Sequence, residues 1–250
     1  LTDEIYQKGE KEKNSPQMLK AYAWRMKYRE MLNPDSLYAG LKGLEQWVKQ
    51  TDQPMDRAIL HSLIAGIYAN YAANNQWQLR QRTEIVDQTP SADIREWTAN
   101  MFVEKVRTNV KEALADSVLL LKTSSRDYIP FVELGKTSEY YHHDLYHLLA
   151  SRGIDALLQV EKLGGGYTET NAVNPVKQDI IAIYGNMLSA YKAAGLKEGY
   201  VLTALNYLEW RRGAERYIRP LQAKGEASVL TDDTYLKALN TLKSKYASEP

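Results

Sequence analysis

The chain has 250 residues, enough for one large domain or two small ones with a buried core. Its 32 basic and 31 acidic residues leave a formal charge of +1, which argues against a protein that attracts nucleic acid or anionic membranes by charge. Cysteine is absent, so disulfides, thiolate catalysis and cysteine-ligated zinc are excluded, and no apolar run reaches the roughly 18 residues of a membrane-spanning helix.

Apolar side chains recur at helical spacing along the chain, without strand-type alternation and without Asn-Gly or Asp-Gly turns. Residues 1–13 already have the pattern of a helix, and seven apolar stripes follow. The stripes are Leu37, Leu41, Leu44 and Val48; Leu60, Leu63, Ile64, Ile67 and Tyr71; Phe102, Val106, Val110, Leu114, Val118 and Leu121; Leu145, Leu149, Ala156 and Val160; Val176, Ile180, Ile183, Met187 and Tyr191; Val201, Leu205 and Leu208; Tyr235, Leu239, Leu242 and Tyr246. We therefore predict an all-α fold of roughly eight to ten helices.

Capping residues and prolines indicate where helices begin. Three sites pair a capping residue with a proline, whose missing N–H suits the first helical turn: Ser15-Pro16, Asn33-Pro34 and Asn174-Pro175. Gly195 follows the stripe that ends at Tyr191 and is typical of a helix end.

The early helices begin near Pro16, Pro34 and Pro54, and the short turns between them favour antiparallel neighbours. Two successive helices span about 38 residues, close to the tetratricopeptide period of about 34. We expect antiparallel helix pairs stacked as a tetratricopeptide-like α-solenoid, although the strict signature residues of that repeat are absent.

A glycine-rich stretch indicates the domain organisation. Residues 163–174 include Gly164, Gly165 and Gly166 and are interpreted as a linker. The linker separates a helical-repeat block, residues 1–162, from a smaller helical block, residues 175–250, which we expect to pack on the first. A phosphate-binding loop is not indicated, because the Gly-Lys-Ser/Thr ending and a preceding strand are both missing.

Three of the four histidines lie between Glu139 and His147. On a helix, His143 and His147 would be four residues apart on one face, the spacing of a divalent-metal pair. A thermolysin-type site needs Glu after the first His, whereas Asp144 follows here, and no distant third ligand is evident. His143 and His147 are therefore weak metal candidates, and hydrogen-bonded histidines at a helix start are the simpler interpretation.

A basic and aromatic cluster lies further along the chain, at Trp210, Arg211, Arg212, Arg216, Tyr217 and Arg219. It has the composition of an anion site or of a stacking platform for single-stranded bases. The alternative is a helix C-terminus, where arginines stabilise the dipole and pair with Glu209 and Glu215. The low net charge favours this alternative, and no Gly-x-Ser-x-Gly elbow occurs. We predict no catalytic residue, no cofactor and no nucleic-acid partner.

Several segments, taken in order, resemble one known family. They are Asn-Ser-Pro-Gln-Met-Leu-Lys-Ala-Tyr-Ala-Trp-Arg-Met-Lys-Tyr at 14–28, Ile-Leu-His-Ser-Leu-Ile-Ala at 59–65, Tyr-Ala-Asn-Tyr at 68–71, Asn-Gln-Trp at 75–77, Arg-Thr at 82–83, Asp-Ile-Arg-Glu-Trp at 93–97 and Leu-Tyr-His-Leu-Leu-Ala-Ser-Arg at 145–152. This order resembles the helical region near the N-terminus of large bacterial alpha-2-macroglobulin-like proteins of the Bacteroides group, over about residues 5–160.

The resemblance implies a long chain that is periplasmic, anchored at the outer membrane or secreted in a Gram-negative bacterium. Downstream β-sandwich domains would offer a bait segment and trap proteases, which makes the full-length chain a protease inhibitor. Some members carry a Cys-Glu-Gln thioester, which this cysteine-free sequence cannot contain, and no functional residue is carried over. Because the chain starts at Leu1, we expect that a signal peptide or lipid anchor would lie outside it.

We therefore expect a non-catalytic scaffold or docking domain, which contacts other domains of its own chain or an envelope protein. An alternative is a tetratricopeptide-like module of the bacterial envelope that binds peptides or other ligands in a groove rimmed by Tyr, Asn and Arg. Residues for such a rim recur at helical spacing, and they would otherwise pack between layers: Tyr68, Asn70, Tyr71 and Asn74. A metal-dependent hydrolase that uses His143 and His147 is the third hypothesis.

Overall fold

A computed structural model of the chain describes residues 1–33, 36–82, 91, 93–135, 138, 141, 143–161, 163, 174–215 and 232–246. Its regular structure is all-α, as predicted, and these ranges contain no strand. They contain eleven α-helices: α1 (Thr2–Lys11), α2 (Ser15–Leu32), α3 (Ser36–Gln50), α4 (Pro54–Asn74), α5 (Gln76–Arg80), α6 (Ala99–Ala113), α7 (Ser117–Lys122), α8 (Leu145–Glu161), α9 (Pro175–Ala194), α10 (Lys197–Glu215) and α11 (Asp232–Tyr246). The number exceeds the prediction because α5 and α7 have only five and six residues.

The helices belong to two compact units, α1–α8 and α9–α11. In the first unit α4 is central, since it packs against α3, α6 and α8, and α6 also contacts α8. The division into blocks 1–162 and 175–250, and their mutual packing, stays a prediction, because the glycines of the linker lie outside the described residues. Across the described ranges, no helix has both the length and the apolar character needed to cross a bilayer.

Two predicted apolar stripes are confirmed in full. On α8 every member is at most 3% exposed: Leu145, Leu149, Ala156 and Val160. On α9 every member is at most 8% exposed: Val176, Ile180, Ile183, Met187 and Tyr191. Glycine adds to the packing of α8, since a Cβ at Gly153 would lie 2.9 Å from Cγ1 of Val110 on α6. The absent side chain lets these two helices approach closely.

The stripe predicted over residues 102–121 is divided between α6 and α7. Asp116 accepts a 3.0 Å hydrogen bond from the N–H of Leu119 and thereby caps the start of α7. The helix restarts in a different phase, so Val118 is 63% exposed whereas Leu120 is fully buried. The prediction of one continuous apolar face here was wrong because it overlooked this cap.

Two of the predicted helix boundaries are confirmed, and one is shifted. Asn174 caps α9, and Gly195 ends it with a left-handed φ of 71°. At α2 the cap is Asn14 rather than Ser15, which is instead the first helical residue. The boundary predicted before Pro34 lies outside the described residues.

The second unit is built around a close helix pair, with α10 packing against both α9 and α11. A Cβ at Gly199 on α10 would lie only 2.3 Å from Cε1 of Tyr191 on α9. Glycine at this position therefore allows α10 to rest against the fully buried ring of Tyr191.

Candidate functional site

Asp144 and His147 form a buried pair at the start of α8. The backbone N–H of His147 donates a 2.8 Å hydrogen bond to Oδ1 of Asp144, and the ring Nδ1 lies 2.6 Å from Oδ2. Only 2% of Asp144 and 5% of His147 is exposed. One carboxylate therefore caps the helix and also orients the imidazole ring.

His143 lies two residues before the first helical residue, Leu145, so it does not share a helical face with His147. Its backbone carbonyl accepts hydrogen bonds from the N–H of Ser125 at 2.8 Å and from its hydroxyl at 3.1 Å. These bonds hold His143 outside the helix, and the spacing argument for a metal pair does not apply. In the part of the chain that the structure describes, no three His, Cys, Asp or Glu side chains are grouped to hold a metal.

The basic and aromatic cluster lies in the second unit, and its described members pack inside that unit. Trp210 has its ring centroid 6.2 Å from Tyr184 and 6.1 Å from Tyr207. The guanidinium of Arg211 lies 5.7 Å from the centre of the Tyr207 ring, and that of Arg212 lies 4.7 Å from Tyr235. Trp210, Arg211 and Arg212 are thus engaged with aromatic rings of their own unit. The rest of the cluster lies outside the described residues.

A buried polar junction around Asp56 was not predicted from the sequence. The hydroxyl of Ser15 donates a 2.5 Å hydrogen bond to Oδ2 of Asp56, and the hydroxyl of Tyr128 donates one of 2.8 Å to Oδ1. The junction joins α2, α4 and a short 3₁₀ helix over Ser125–Tyr128. Burial raises the pKa of Tyr128 well above its ordinary value, and the nearby charge of Asp56 raises this pKa further.

An open groove of about 1020 Å³ lies beside this junction and is lined by residues of α1, α2, α3 and the 3₁₀ helix. We call it the acidic groove, because the carboxylates of Glu10, Asp52, Asp56 and Asp127 line it. Lys13 is the one cation among its lining residues. Glu10, Asp52 and Asp127 are exposed, and none forms an ion pair with another described residue. Their negative charge is therefore available to a ligand.

Three aromatic rings form one wall of the acidic groove. The centroid of Trp47 lies 5.8 Å from that of Tyr6 and 5.7 Å from that of Tyr22. Arg25 contacts this wall without lining the groove, with its guanidinium 4.6 Å from the centre of the Tyr22 ring. An ion pair of 3.0 Å with Asp3 offsets the charge of Arg25. The positive charge of Arg25 thus does not neutralise the groove.

A second cleft, of about 570 Å³, is lined by residues of α2, α3 and α4. We call it the amide cleft, because Asn70, Asn74 and Asn75 line it together with Tyr38 and Tyr71. Three of the four predicted rim residues therefore meet here. Burial and a hydrogen bond with Tyr71 raise the pKa of Tyr38 to about 12.

Tyr68, the fourth predicted rim residue, packs elsewhere and is only 3% exposed. Its ring stacks on Trp97 at a centroid distance of 5.3 Å and an interplanar angle of 10°. Its hydroxyl donates a 3.1 Å hydrogen bond to Oε1 of Glu45, which also lies 2.6 Å from Nζ of Lys105. Burial and the charge of Glu45 raise the pKa of Tyr68. Tyr68 is therefore a packing residue.

Comparison of the chain with models of known protein families, with curated proteins and with solved structures finds no match. The function is therefore inferred from the acidic groove, the amide cleft and the buried polar pairs. The residues that line the acidic groove come from several segments of the chain, and no single sequence motif contains them.

Proposed function

We propose that the chain is a non-catalytic helical docking domain that receives a protein segment in the acidic groove. The observation that carries this proposal is how the polar side chains are used. Two buried carboxylates are engaged within the fold, Asp56 with Ser15 and Tyr128, and Asp144 with His147. Exposed carboxylates and aromatic rings instead line an open groove.

The same geometry supports docking over hydrolysis. A general base must reach a substrate proton directly or through one water molecule. Asp144 and His147 are buried and line neither the acidic groove nor the amide cleft. Asp56 lines the acidic groove, but each of its oxygens already accepts a hydrogen bond from a hydroxyl.

We extend the proposal to the arrangement of the helices, as antiparallel pairs in a tetratricopeptide-like solenoid. Support comes from the contacts between α1 and α2. Asp3, near the start of α1, pairs with Arg25, in the second half of α2. Gly9, near the end of α1, faces Met18, near the start of α2. Such pairing exposes grooves between successive helices, which repeat proteins commonly use for binding.

The setting that we propose is a long alpha-2-macroglobulin-like protein of the Gram-negative envelope, whose other domains trap proteases. Support comes from the sequence resemblance alone, chiefly at residues 14–28, 59–65, 93–97 and 145–152. Reading the gene on both sides of this segment tests the setting. A signal peptide upstream and β-sandwich repeats downstream are expected, and a stand-alone reading frame of this length would contradict it.

Site-specific photo-crosslinking in the cells that naturally produce the protein tests the docking function. A crosslinking amino acid replaces Gln46, which is exposed and lines the acidic groove. The matched control replaces Lys111, which is exposed on α6 and does not line the groove. We expect a discrete crosslinked product, to another domain or to a partner protein, from position 46 only. Equal products from both positions, or none from position 46, would argue against docking in this groove.

A second candidate function, a peptide- or ligand-binding module, is favoured by the amide cleft. The side-chain amides of Asn70 and Asn74 can each donate and accept hydrogen bonds, as recognition of a peptide bond or a sugar requires. Saturable binding from a panel of peptides and glycans should then be lost in Asn74→Ala. It should persist in Asn186→Ala, an exposed substitution on α9. Equal binding by the two variants would exclude the amide cleft as the binding site.

A further inference from the structure

We propose that the occupant of the acidic groove is an extended basic segment of a partner protein, with lysine or arginine side chains at intervals. This inference rests on the proposed docking function, because it names the partner of the same groove. It commits to a polypeptide and not to a small polyamine. The charge, the aromatic wall and the uncharged polar lining of the groove each support it.

The charge of the groove selects a cationic occupant. Four carboxylates line it and only Lys13 opposes them, although the whole chain is close to neutral. The charge is therefore local to this surface and does not reflect the overall composition. Glu10, Asp52 and Asp127 are exposed and form no ion pair with another described residue. A basic partner can therefore bind them without breaking an ion pair between described residues. Such charge complementarity gives specificity and speeds association.

The aromatic wall suits the same occupant. Tyr6 and Trp47 are half-buried, so part of each ring remains accessible from the groove. Ammonium and guanidinium groups bind to the faces of such rings, and Trp is the strongest acceptor. The structure already contains this type of contact, since Arg25 lies 5.0 Å from the centre of the Tyr6 ring. Glu10 follows Tyr6 by four residues on α1, so this carboxylate and this ring lie on the same face of the helix.

The uncharged polar lining indicates a peptide backbone between the basic side chains. Gln46, Gln50, Thr51 and Gln53 line the same groove as the carboxylates. Their amides and hydroxyl donate and accept hydrogen bonds, as the alternating N–H and C=O groups of an extended backbone need. A volume of about 1020 Å³ is at the upper end of the usual range for ligand pockets and is larger than one side chain needs.

Fluorescence anisotropy with the 250-residue chain tests the inference at low salt. The probe is a fluorescein-labelled peptide of sequence Gly-Lys-Gly-Lys-Gly-Lys, and a peptide with glutamine in place of each lysine is its uncharged counterpart. We expect the lysine peptide to bind at least about tenfold more tightly, with the difference reduced at high salt because exposed charges are screened. Equal affinity for the two peptides would overturn the proposal.

A matched pair of triple variants locates the binding. The combination Glu10→Gln, Asp52→Asn and Asp127→Asn removes the exposed negative charges of the groove. Three exposed carboxylates that do not line the groove provide a control with the same change in charge: Glu4→Gln, Glu96→Gln and Glu112→Gln. We expect the groove variant to weaken binding by about tenfold and the control by less than about twofold. Equal weakening in both would show non-specific attraction and overturn the proposal.

Two further outcomes separate this inference from the function on which it rests. If spermine binds as tightly as the lysine peptide and displaces it fully, the groove is a general cation site and the commitment to a peptide fails. If no peptide binds but position 46 still crosslinks to a partner, only the basic character of the partner is wrong. Loss of the crosslink as well would remove the docking function itself.

Discussion

The hydroxyl of Tyr128 donates a hydrogen bond of 2.8 Å to Oδ1 of Asp56, across 72 positions of sequence. Asp56 is only 5% exposed, so this bond replaces most of the hydrogen bonds to water that the carboxylate would have in the unfolded chain. In Tyr128→Phe the ring still fills its place, but Oδ1 loses its partner. We expect a loss of about 1–3 kcal/mol in the free energy of unfolding, measured by urea denaturation.

Tyr28→Phe is the matched control for that substitution. Tyr28 is 50% exposed on α2 and forms no hydrogen bond through its hydroxyl to a described residue. Removal of the Tyr28 hydroxyl should change the free energy of unfolding by less than about 0.5 kcal/mol. Similar values for the two variants would show that the bond from Tyr128 contributes nothing specific.

Gly199→Ala should destabilise the second unit although alanine is the better helix former. The added Cβ would lie 2.3 Å from Cε1 of Tyr191, so the ring or the helix must move. Overpacking of this kind costs about 1–3 kcal/mol, more than the gain of up to about 1 kcal/mol in helix propensity. Chemical denaturation followed by circular dichroism measures the net loss.

Gly185→Ala tests the same argument with the opposite sign. Gly185 lies within α9, and a Cβ there meets no atom within 4 Å. Only the propensity gain remains, so the variant should be more stable by about 0.5–1 kcal/mol. A stabilised Gly199→Ala variant would show that α10 is not packed on Tyr191 as described.

Asp144→Ala and Asp144→Ser should differ in stability. Both lose the 2.6 Å contact with Nδ1 of His147, but serine can still accept the backbone N–H at the start of α8. We expect the alanine variant to be less stable than the serine variant by about 1 kcal/mol, the usual value of a helix cap. Equal unfolding midpoints would mean that Asp144 acts only through the imidazole ring.

The protein should lose stability steeply in alkali. Burial raises the pKa of Tyr68 and of Tyr128, and the charges of Glu45 and Asp56 raise them further. In the unfolded chain both tyrosines titrate near pH 10, so above that pH the unfolded state has lost protons that the folded state retains. Stability is therefore full below about pH 10 and falls as the pH rises, by about 1.4 kcal/mol per pH unit for each such tyrosine.

Ultraviolet absorbance of tyrosinate, recorded together with circular dichroism, measures this effect. Tyr68 and Tyr128 should ionise only as the helices unfold, because both side chains are buried. Tyr68→Phe should reduce the dependence of the free energy of unfolding on pH by the contribution of one tyrosine, about 1.4 kcal/mol per pH unit. If all tyrosine absorbance changes occur near pH 10 while the chain stays helical, the pKa values of Tyr68 and Tyr128 are not raised.

Local features of the fold were predictable from the sequence. Apolar spacing identified α8 and α9 together with their buried faces, and Asn174 and Gly195 marked the boundaries of α9. These signals act over one helical turn and need no knowledge of neighbours. The same reasoning failed at Asp116, where a cap divides an apolar pattern that continues across it. At His143 the helical spacing to His147 does not apply, because the helix begins at Leu145 and the carbonyl of His143 bonds to Ser125.

The candidate site was not predictable, because its parts come from distant positions. Tyr6, Trp47 and Tyr128 belong to different segments and share no motif. Ser15 has the sequence pattern of a helix cap, yet its hydroxyl bonds to Asp56, which is 41 residues away. Pairings of this kind depend on which helices meet, and periodicity within one helix contains no information about that.

The short connection between α9 and α10 has a consequence for how the protein assembles. Gly195 and Leu196 alone join these helices, so Tyr191 and Gly199 meet with little loss of loop entropy. The central helix α4 can pack against α8 only after α8 has been synthesised, which happens much later. Contact order therefore differs between the units, and during synthesis the first unit stays incomplete until Leu145 and the residues after it have emerged.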